Sequence, residues 1–465
     1  MMSHGARILH LRGAAGMDAI YRKVSWRLLP LLMLCYAVAF LDRVNVSYAK
    51  LQMGASLDFS EHVYALGAGV FFIGYFLCAL PGNLLIEKIG ARKTLLRIML
   101  CWGFSAAAGA FVREPLEFYI IRFLLGVFEA AFFPGVILYL TWWYPAARRA
   151  RAFALFSSAA LLAGVGAGPL CAATLATMHD VGGLSGWQWM LLLQGFAAAL
   201  LGVGAWFHLD EKPEDASWLS SFEQQMIGQD LERDEEALSG PADEEDEPQP
   251  APSAPALIWS LLREPAIMLL AAANLLLIGA SYDLVSWSPS LLQRWGAGSH
   301  LQLGVLAAIP NLAGVVGMIA ICYDSDRRRE RRGHFVACMV LAAGGLALAI
   351  AADKELAWSL AGLTLASLGI AAASPLLTAI LTELLNRGRA ATGIALVGSL
   401  GLIGGALGPL LGERMLRWGD SAAMLASLVV LYLAAGVCLL AALRLAPRRG
   451  GPSAGHGETD KMARR

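Results

Sequence analysis

"LLPLLMLCYAVAFLDRVNVS", residues 28–47, is an apolar run that ends on an acid and a base side by side, Asp42 and Arg43. A helix needs about 20 residues of this character to cross the hydrocarbon layer of a bilayer, at roughly 1.5 Å per residue. Charge inside such a segment costs free energy and marks function by default. The run therefore reads as a membrane helix whose polar end faces protein or water. The triplet Ala37-Val38-Ala39 after a basic start also resembles a cleavable signal. Because the chain continues with further spans, the run is read as a retained first helix.

Working outward, apolar stretches of spanning length recur at 63–86, 94–112, 115–141, 152–178, 186–207, 260–292, 301–322, 335–352, 356–382, 390–412 and 421–443. With 28–49 that makes twelve. Composition agrees: 57% of the 465 residues are hydrophobic and 15% charged, with mean hydropathy +0.58. Soluble domains carry about one-quarter charged residues. The expected fold class is an all-α membrane protein of twelve transmembrane helices in contact with a lipid bilayer.

Lys and Arg in short loops set orientation. The loops after spans 2, 4, 8 and 10 hold 14 of them, the opposite loops, counted with Lys50, only 6. Both termini are thus expected in the cytoplasm. Residues 1–23 read as an N-terminal tail, 24–208 as a first six-helix bundle, 209–258 as an acidic linker, 259–446 as a second bundle and 447–465 as a C-terminal tail. The linker holds 15 acids in 209–256 against Lys212 and Arg233. Beyond a short helix near 216–237 it is expected to be a solvated, largely disordered tether, since it has too little apolar area to offset its ordering entropy.

Several functions are unsupported. The basic residues lie along membrane edges, so nucleic acid is not an expected partner. The seven cysteines are scattered without paired spacing, and no HExxH-like ligand pattern occurs, so neither a metal nor another cofactor is expected. No nucleophile and base pairing suggests an enzyme.

An internal repeat does stand out. "GVGAGPL" at Gly164–Leu170 returns as "GGALGPL" at Gly404–Leu410, an offset of 240, and the basic loop "EKIGARK" at Glu87–Lys93 maps onto "RRRERRG" at Arg327–Gly333. Glycines four apart let helix backbones approach closely. Their return at a fixed offset points to duplicated, pseudo-symmetric halves, the way alternating-access carriers are built.

Ionisable groups away from span ends are few: Asp42 and Arg43 in span 1, Arg122 and Glu129 in span 4, and Asp283 in span 7. Arg122 and Glu129 lie seven residues apart, on one helical stripe about 10 Å long, with Gly126 between them. Asp42 and Asn45 lie one turn apart with Arg43 beside them. The competing structural reading is a set of buried ion pairs that hold spans 1 and 4 in register. The functional one is proton-coupled anion binding: Glu129 and Asp42 hold the arginines while ionised, and protonation frees a guanidinium, whose planar fork suits a substrate carboxylate.

These stretches carry a family resemblance. "YAVAFLDRVNVS" (Tyr36–Ser47), "FFIGYFLCALPGNLLIEKIGARK" (Phe71–Lys93), "RFLLGVFEAAFFPGVILYLTWWYP" (Arg122–Pro145), "GWQWMLLLQG" (Gly186–Gly195) and "ATGIALVGSLGLIGGALGPLLG" (Ala391–Gly412) make the chain similar to the major facilitator superfamily. Within it, the chain resembles the bacterial anion:cation symporters that include phthalate, tartrate, hexuronate and galactonate permeases, relatives of sialin. The resemblance implies a monomeric carrier in the bacterial inner membrane that imports a small organic anion with protons. It also implies that Asp42 and Glu129 couple protons, and that Arg43 and Arg122 bind substrate with Tyr75; Asn45, one turn from Asp42, is a further substrate-binding candidate. Glu87, Lys88, Arg92 and Lys93, with Asp326 and Arg327 in the repeat, would gate the cytoplasmic side. The alternatives are an exporter, a sodium-coupled carrier, or a membrane sensor that binds an anion without moving it.

The second half departs from the family pattern at Thr378, Gly398 and Leu402, where an aromatic and asparagines are common. Asp283, which mirrors Arg43 at the 240 offset, stands where relatives tend to have glycine. It is expected to face the cavity and to join the substrate site, because a carboxylate facing lipid is costly. Asn311 and Ser374 are softer candidates, since such groups more often serve helix packing.

Overall fold

The computed structural model describes residues 4–239, 254–352, 355–385, 387–418 and 420–445. Fifteen α-helices follow one another: α1 (His4–Leu57), α2 (Glu61–Ile89), α3 (Ala91–Ala108), α4 (Pro115–Glu129), α5 (Phe132–Thr141), α6 (Ala146–Thr177), α7 (Gly186–His208), α8 (Ser221–Ser239), α9 (Ala254–Leu262), α10 (Pro265–Arg294), α11 (His300–Arg328), α12 (Arg332–Ala351), α13 (Leu356–Leu384), α14 (Arg387–Trp418) and α15 (Ser421–Leu445). Among the described residues there is no strand. Among the described residues, twelve helical segments are long and apolar enough to cross a membrane, and each overlaps one of the expected runs. Large apolar side chains such as Phe104, Leu162, Leu200, Val316 and Val430 are exposed on these spans, as lipid contact requires.

Local signals explain the ends. Pro115 occupies the first turn of α4 behind a Glu114–Glu117 capping box, and Ser185 with Gln188 caps α7 in the same way. Span 4 is broken: α4 stops at Glu129 and α5 starts at Phe132. Pro134 explains the break, because it has no N–H to give the Ala130 carbonyl and its ring crowds that turn. Glu129 is therefore the last residue of its helix.

The two halves repeat one packing scheme. In the first, α1 packs on α6, α2 on α4 and α3 on α7; in the second the counterparts α10 on α14, α11 on α13 and α12 on α15 pack likewise. The halves meet through α1 with α10, α2 with α14, and α6 with α11. Two crossings are glycine-lined. A Cβ at Gly168 would lie 2.5 Å from the Gly304 carbonyl oxygen, and one at Gly69 would lie 2.7 Å from that of Ala406. Both lie toward the far side, away from the helix ends that lead to the termini.

Two expectations about the flanking segments change. Residues 16–23, assigned to a tail, continue the first helix, and Tyr21 is buried there. The first part of the linker is packed as well. Trp218 stacks on Trp143 (5.9 Å between ring centroids, 11° between planes), Ile227 on α8 is fully buried, and Asp230 accepts a 2.9 Å bond from the Tyr21 hydroxyl. Lys23 pairs with Glu223 at 2.7 Å and Arg149 with Asp234 at 3.4 Å. A few apolar side chains among the acids give this segment a face to bury, which composition averaged over 48 residues conceals. The acidic stretch within 240–253 and the tail from 446 onward lie outside the described residues.

Candidate functional site

Helical geometry separates the adjacent charges of span 1. Successive residues point about 100° apart, so Arg43 turns toward the second half while Asp42 turns into its own. Asp42 accepts from the Trp102 indole N–H on α3 and, at 3.0 Å, from the Asn45 amide. The same amide donates at 2.5 Å to Gln194 on α7. Asp42 and Asn45 are both buried in this network, Asp42 makes no ion pair with an arginine among the described residues, and neither lines the cavity that Arg43 and Arg122 share. In this state, therefore, Asp42 bonds an indole and an amide where a guanidinium was expected, and Asn45 bonds Asp42 and Gln194 away from the expected substrate position. Trp102 and Gln194, which complete the network, were not among the expected site residues.

Arg43 and Arg122 do come together. The Arg43 guanidinium lies 6.0 Å and that of Arg122 4.8 Å from the centre of the Phe71 ring on α2. Arg43 also sits over Tyr75 at 5.1 Å. Its Nε donates to Glu129 Oε1 at 2.5 Å, joining α1 to the broken end of α4. The second oxygen of Glu129 is buried without a hydrogen-bond partner among the described residues. Arg122 donates from Nε to the Gly67 carbonyl at 3.4 Å, and no carboxylate pairs with it among the described residues. Gly126 brings α2 and α4 together as its position on the stripe suggested: a Cβ there would stand 2.9 Å from the Tyr75 nitrogen and overlap the Phe71 carbonyl.

Arg43 reaches across the interface too, donating from Nη1 to the Tyr282 hydroxyl on α10 at 3.5 Å. Both arginines line a cavity of about 30 Å³ between α1, α2, α4, α10 and α14. That is room for about two waters, so the site is contracted in this state. A second cavity, about 170 Å³, lies between α1 and α6 on one side and α10, α11 and α13 on the other, with Asn311 on its wall and no charged residue. Asn311 spends its amide on the Ala307 carbonyl at 2.9 Å, a packing role.

Asp283 is not in the cavity. It is fully buried, and neither carboxylate oxygen has a hydrogen-bond partner among the described residues. It lies against Gly412 of α14, where a Cβ would overlap it. Its neighbour Tyr282 holds the cavity position instead, since adjacent residues on a helix cannot share a direction.

The expected gate residues behave differently from one another. The side chains of Glu87 and Lys88 lie outside the described residues. Arg92 is tied within its own half: Nε donates to the Trp206 carbonyl, the guanidinium lies 4.6 Å over that ring, and its backbone N–H donates to Glu211 at 3.1 Å. Lys93 and Arg327 are exposed. Asp326 accepts from Arg331 at 3.4 Å, also within one half. On the far side, by contrast, polar contacts bridge the halves. His62 of α2 meets Glu413 of α14 at 3.4 Å, and the Lys50 ammonium lies 3.5 Å over the Trp287 ring of α10 while pairing with Glu61 at 3.1 Å.

Twelve spans in two repeated halves, with charge gathered at the seam between them, define a membrane carrier. The comparisons agree. The family model described as Major Facilitator Superfamily matches residues 32–409 and 296–463. A provisionally named tartrate transporter of Agrobacterium vitis is 39% identical, covering 93% of this chain and 96% of that protein. A provisionally named metabolite transport protein of Pseudomonas putida, NicT, is 36% identical over 84% of this chain and 86% of its own. Among solved structures, a bacterial homologue of the human lysosomal transporter Spinster, inward-facing and unoccupied, superimposes with a TM-score of 0.69 at 16% identity, covering 90% of this chain and 95% of that one. The chain belongs to the major facilitator superfamily, and it is a multi-pass transport protein, not an enzyme.

Proposed function

We propose that the protein imports a small organic anion together with protons by alternating access, with the side that carries the termini facing the cytoplasm of a bacterial inner membrane. The carrying observation is the Arg43–Glu129 pair, joined at 2.5 Å inside the membrane by a carboxylate whose other oxygen is unpartnered. Breaking a buried pair by removing one charge leaves the other strongly destabilised. A proton on Glu129 therefore makes room on Arg43 for a different carboxylate, and Arg122 beside it offers a second guanidinium. Proton and anion then enter as a near-neutral set, which lowers the cost of moving the site between two faces.

The relatives named for tartrate and metabolite transport support an organic anion as cargo. The basic loops support the orientation. The far-side bridges Lys50–Trp287 and His62–Glu413, set against gate residues engaged within their own halves, support a conformation open toward the termini. Residues 24–208 and 259–446 are read as the two bodies that rock about the site, the chain acting as a monomer.

The test is counterflow of labelled carboxylates in proteoliposomes, with and without a pH gradient. Accumulation that follows the gradient is expected. Uptake indifferent to the gradient removes the proton from the scheme, and binding without flux leaves a sensor.

A further inference from the structure

Lys50 was counted with the loops of the far side, but it lies inside α1 and is buried. It follows Arg43 by seven residues, which places the two on one stripe of the helix about 10 Å apart along its axis. Lys50 lines the contracted cavity together with Arg43 and Arg122. It also lines a vestibule of about 310 Å³ on the far side, whose wall includes Glu61 and Arg294. Its ammonium thus stands in the layer between the two spaces, resting on Trp287 and bonded to Glu61.

The wall of the contracted cavity bears three cations and no carboxylate. Glu129 and Glu61, the partners of Arg43 and Lys50, lie outside that wall. Tyr64, which lines both spaces, carries a buried hydroxyl with no hydrogen-bond partner among the described residues. A buried polar group of that kind is costly unless something bonds it. A monoanion held by the two arginines leaves the ammonium uncompensated once Glu61 withdraws. Arg43 and Lys50, two helical turns apart on α1, thus offer cations at two places along one space, which suits a guest with a carboxylate at each end.

We propose that Lys50 is a further substrate-contacting residue that selects dicarboxylates. It receives the second carboxylate of a guest whose first is held by Arg43 and Arg122, and the Tyr64 hydroxyl bonds the guest beside it. In the contracted state the Glu61 carboxylate takes the place of that second group, so the guest must displace Glu61 from the ammonium. This assignment rests on the transport reading above.

The test compares L-tartrate, a hydroxylated dianion, with lactate, a hydroxylated monoanion, as labelled cargo for the full chain in proteoliposomes. Binding is followed in parallel by thermal shift in detergent. Wild-type protein is expected to favour tartrate at least tenfold. Lys50→Gln should raise KM for tartrate by about 10- to 100-fold, as loss of one charge-assisted bond implies, while leaving KM for lactate within about twofold. Lys50→Arg keeps the charge and should retain most of the preference. Glu61→Gln removes the competitor and should lower KM for tartrate. Unchanged tartrate-to-lactate selectivity in Lys50→Gln overturns the assignment, as does a preference for lactate in the wild type. If Lys50→Gln does not fold, an unaltered tartrate KM in Glu61→Gln overturns it as well. Wild-type protein that moves neither anion but binds tartrate in a Lys50-dependent way would sink the transport reading and leave the recognition role standing.

Discussion

The two halves share a packing scheme but not a chemistry. In the first, Asp42, Arg43, Arg122 and Glu129 are knitted across five helices by an ion pair, an indole, an amide and an aromatic face. In the second, the deep ionisable residue is Asp283, buried against Gly412 without a polar partner among the described residues. Duplication preserves a backbone because glycine crossings and apolar stripes are easily kept, while function has charged only one copy. On the proposed function, the first half holds cargo and proton, and the second supplies the wall, through Tyr282 and Trp287, that borders the same cavity.

The largest effect should come from silencing the charged copy. Glu129→Gln keeps shape but cannot titrate, and is expected to reduce pH-gradient-driven accumulation by about 100-fold or more while exchange of labelled for unlabelled substrate survives in part. Normal accumulation would exclude Glu129 as the coupling group and erase the contrast between the halves. Next, Arg43→Lys and Arg122→Lys should weaken binding roughly 10- to 100-fold, because an ammonium cannot reproduce a planar fork; dissociation constants from substrate-induced thermal shift decide it. Asp283→Asn, the matched change in the uncharged copy, should leave transport within about twofold, since no polar contact is lost. A loss comparable to that of Glu129→Gln would mean both halves carry protons.

The smallest effect lies outside the membrane. Lys23, aided by the Ser220 backbone N–H, holds the Glu223 carboxyl below its ordinary value of 4.5. A depressed folded-state value contributes stability above the unfolded one, and that contribution fades as pH falls through the folded one. Docking of α8 on α1 should therefore hold constant from neutrality down toward the ordinary carboxyl value of 4.5 and loosen as pH falls below it, with Glu223→Gln removing less than about 1 kcal/mol, as for other surface pairs. Hydrogen exchange at residues 221–234 against pH is the measurement.

Much of this contrast was legible in the amino-acid order. All twelve spans follow from runs of apolar residues, the meeting of Arg43 with Glu129 follows from the rarity of charge at that depth, and Gly126 between Arg122 and Glu129 marks a close helix approach, which proves to be that of α2. What escaped was direction. Asp42 and Arg43 are neighbours in sequence and so point about 100° apart on a helix; which of them meets the seam depends on the rotation of α1, and that is set by Trp102 and Gln194 on other helices. The same holds for Tyr282 and Asp283. Lys50 was missed because the apolar run stops at Ala49, though its seven-residue step from Arg43 repeats the step from Arg122 to Glu129. The docked linker was missed because Trp218, Leu219 and Ile227 are diluted by acids.

The glycine crossings of α6 on α11 and α2 on α14 carry a last implication. Where backbone meets backbone without side chains between, attraction is short-ranged: a gap of half an ångström to one ångström already forfeits a quarter to a half of it. Few side chains lie at these contacts, chiefly the Tyr48 hydroxyl beside Gly168 and the Phe72 ring beside Gly405, so little is there to stretch and preserve a partial contact. Such a seam is expected to part abruptly rather than by degrees, which would leave ions little opening to follow the cargo across the membrane.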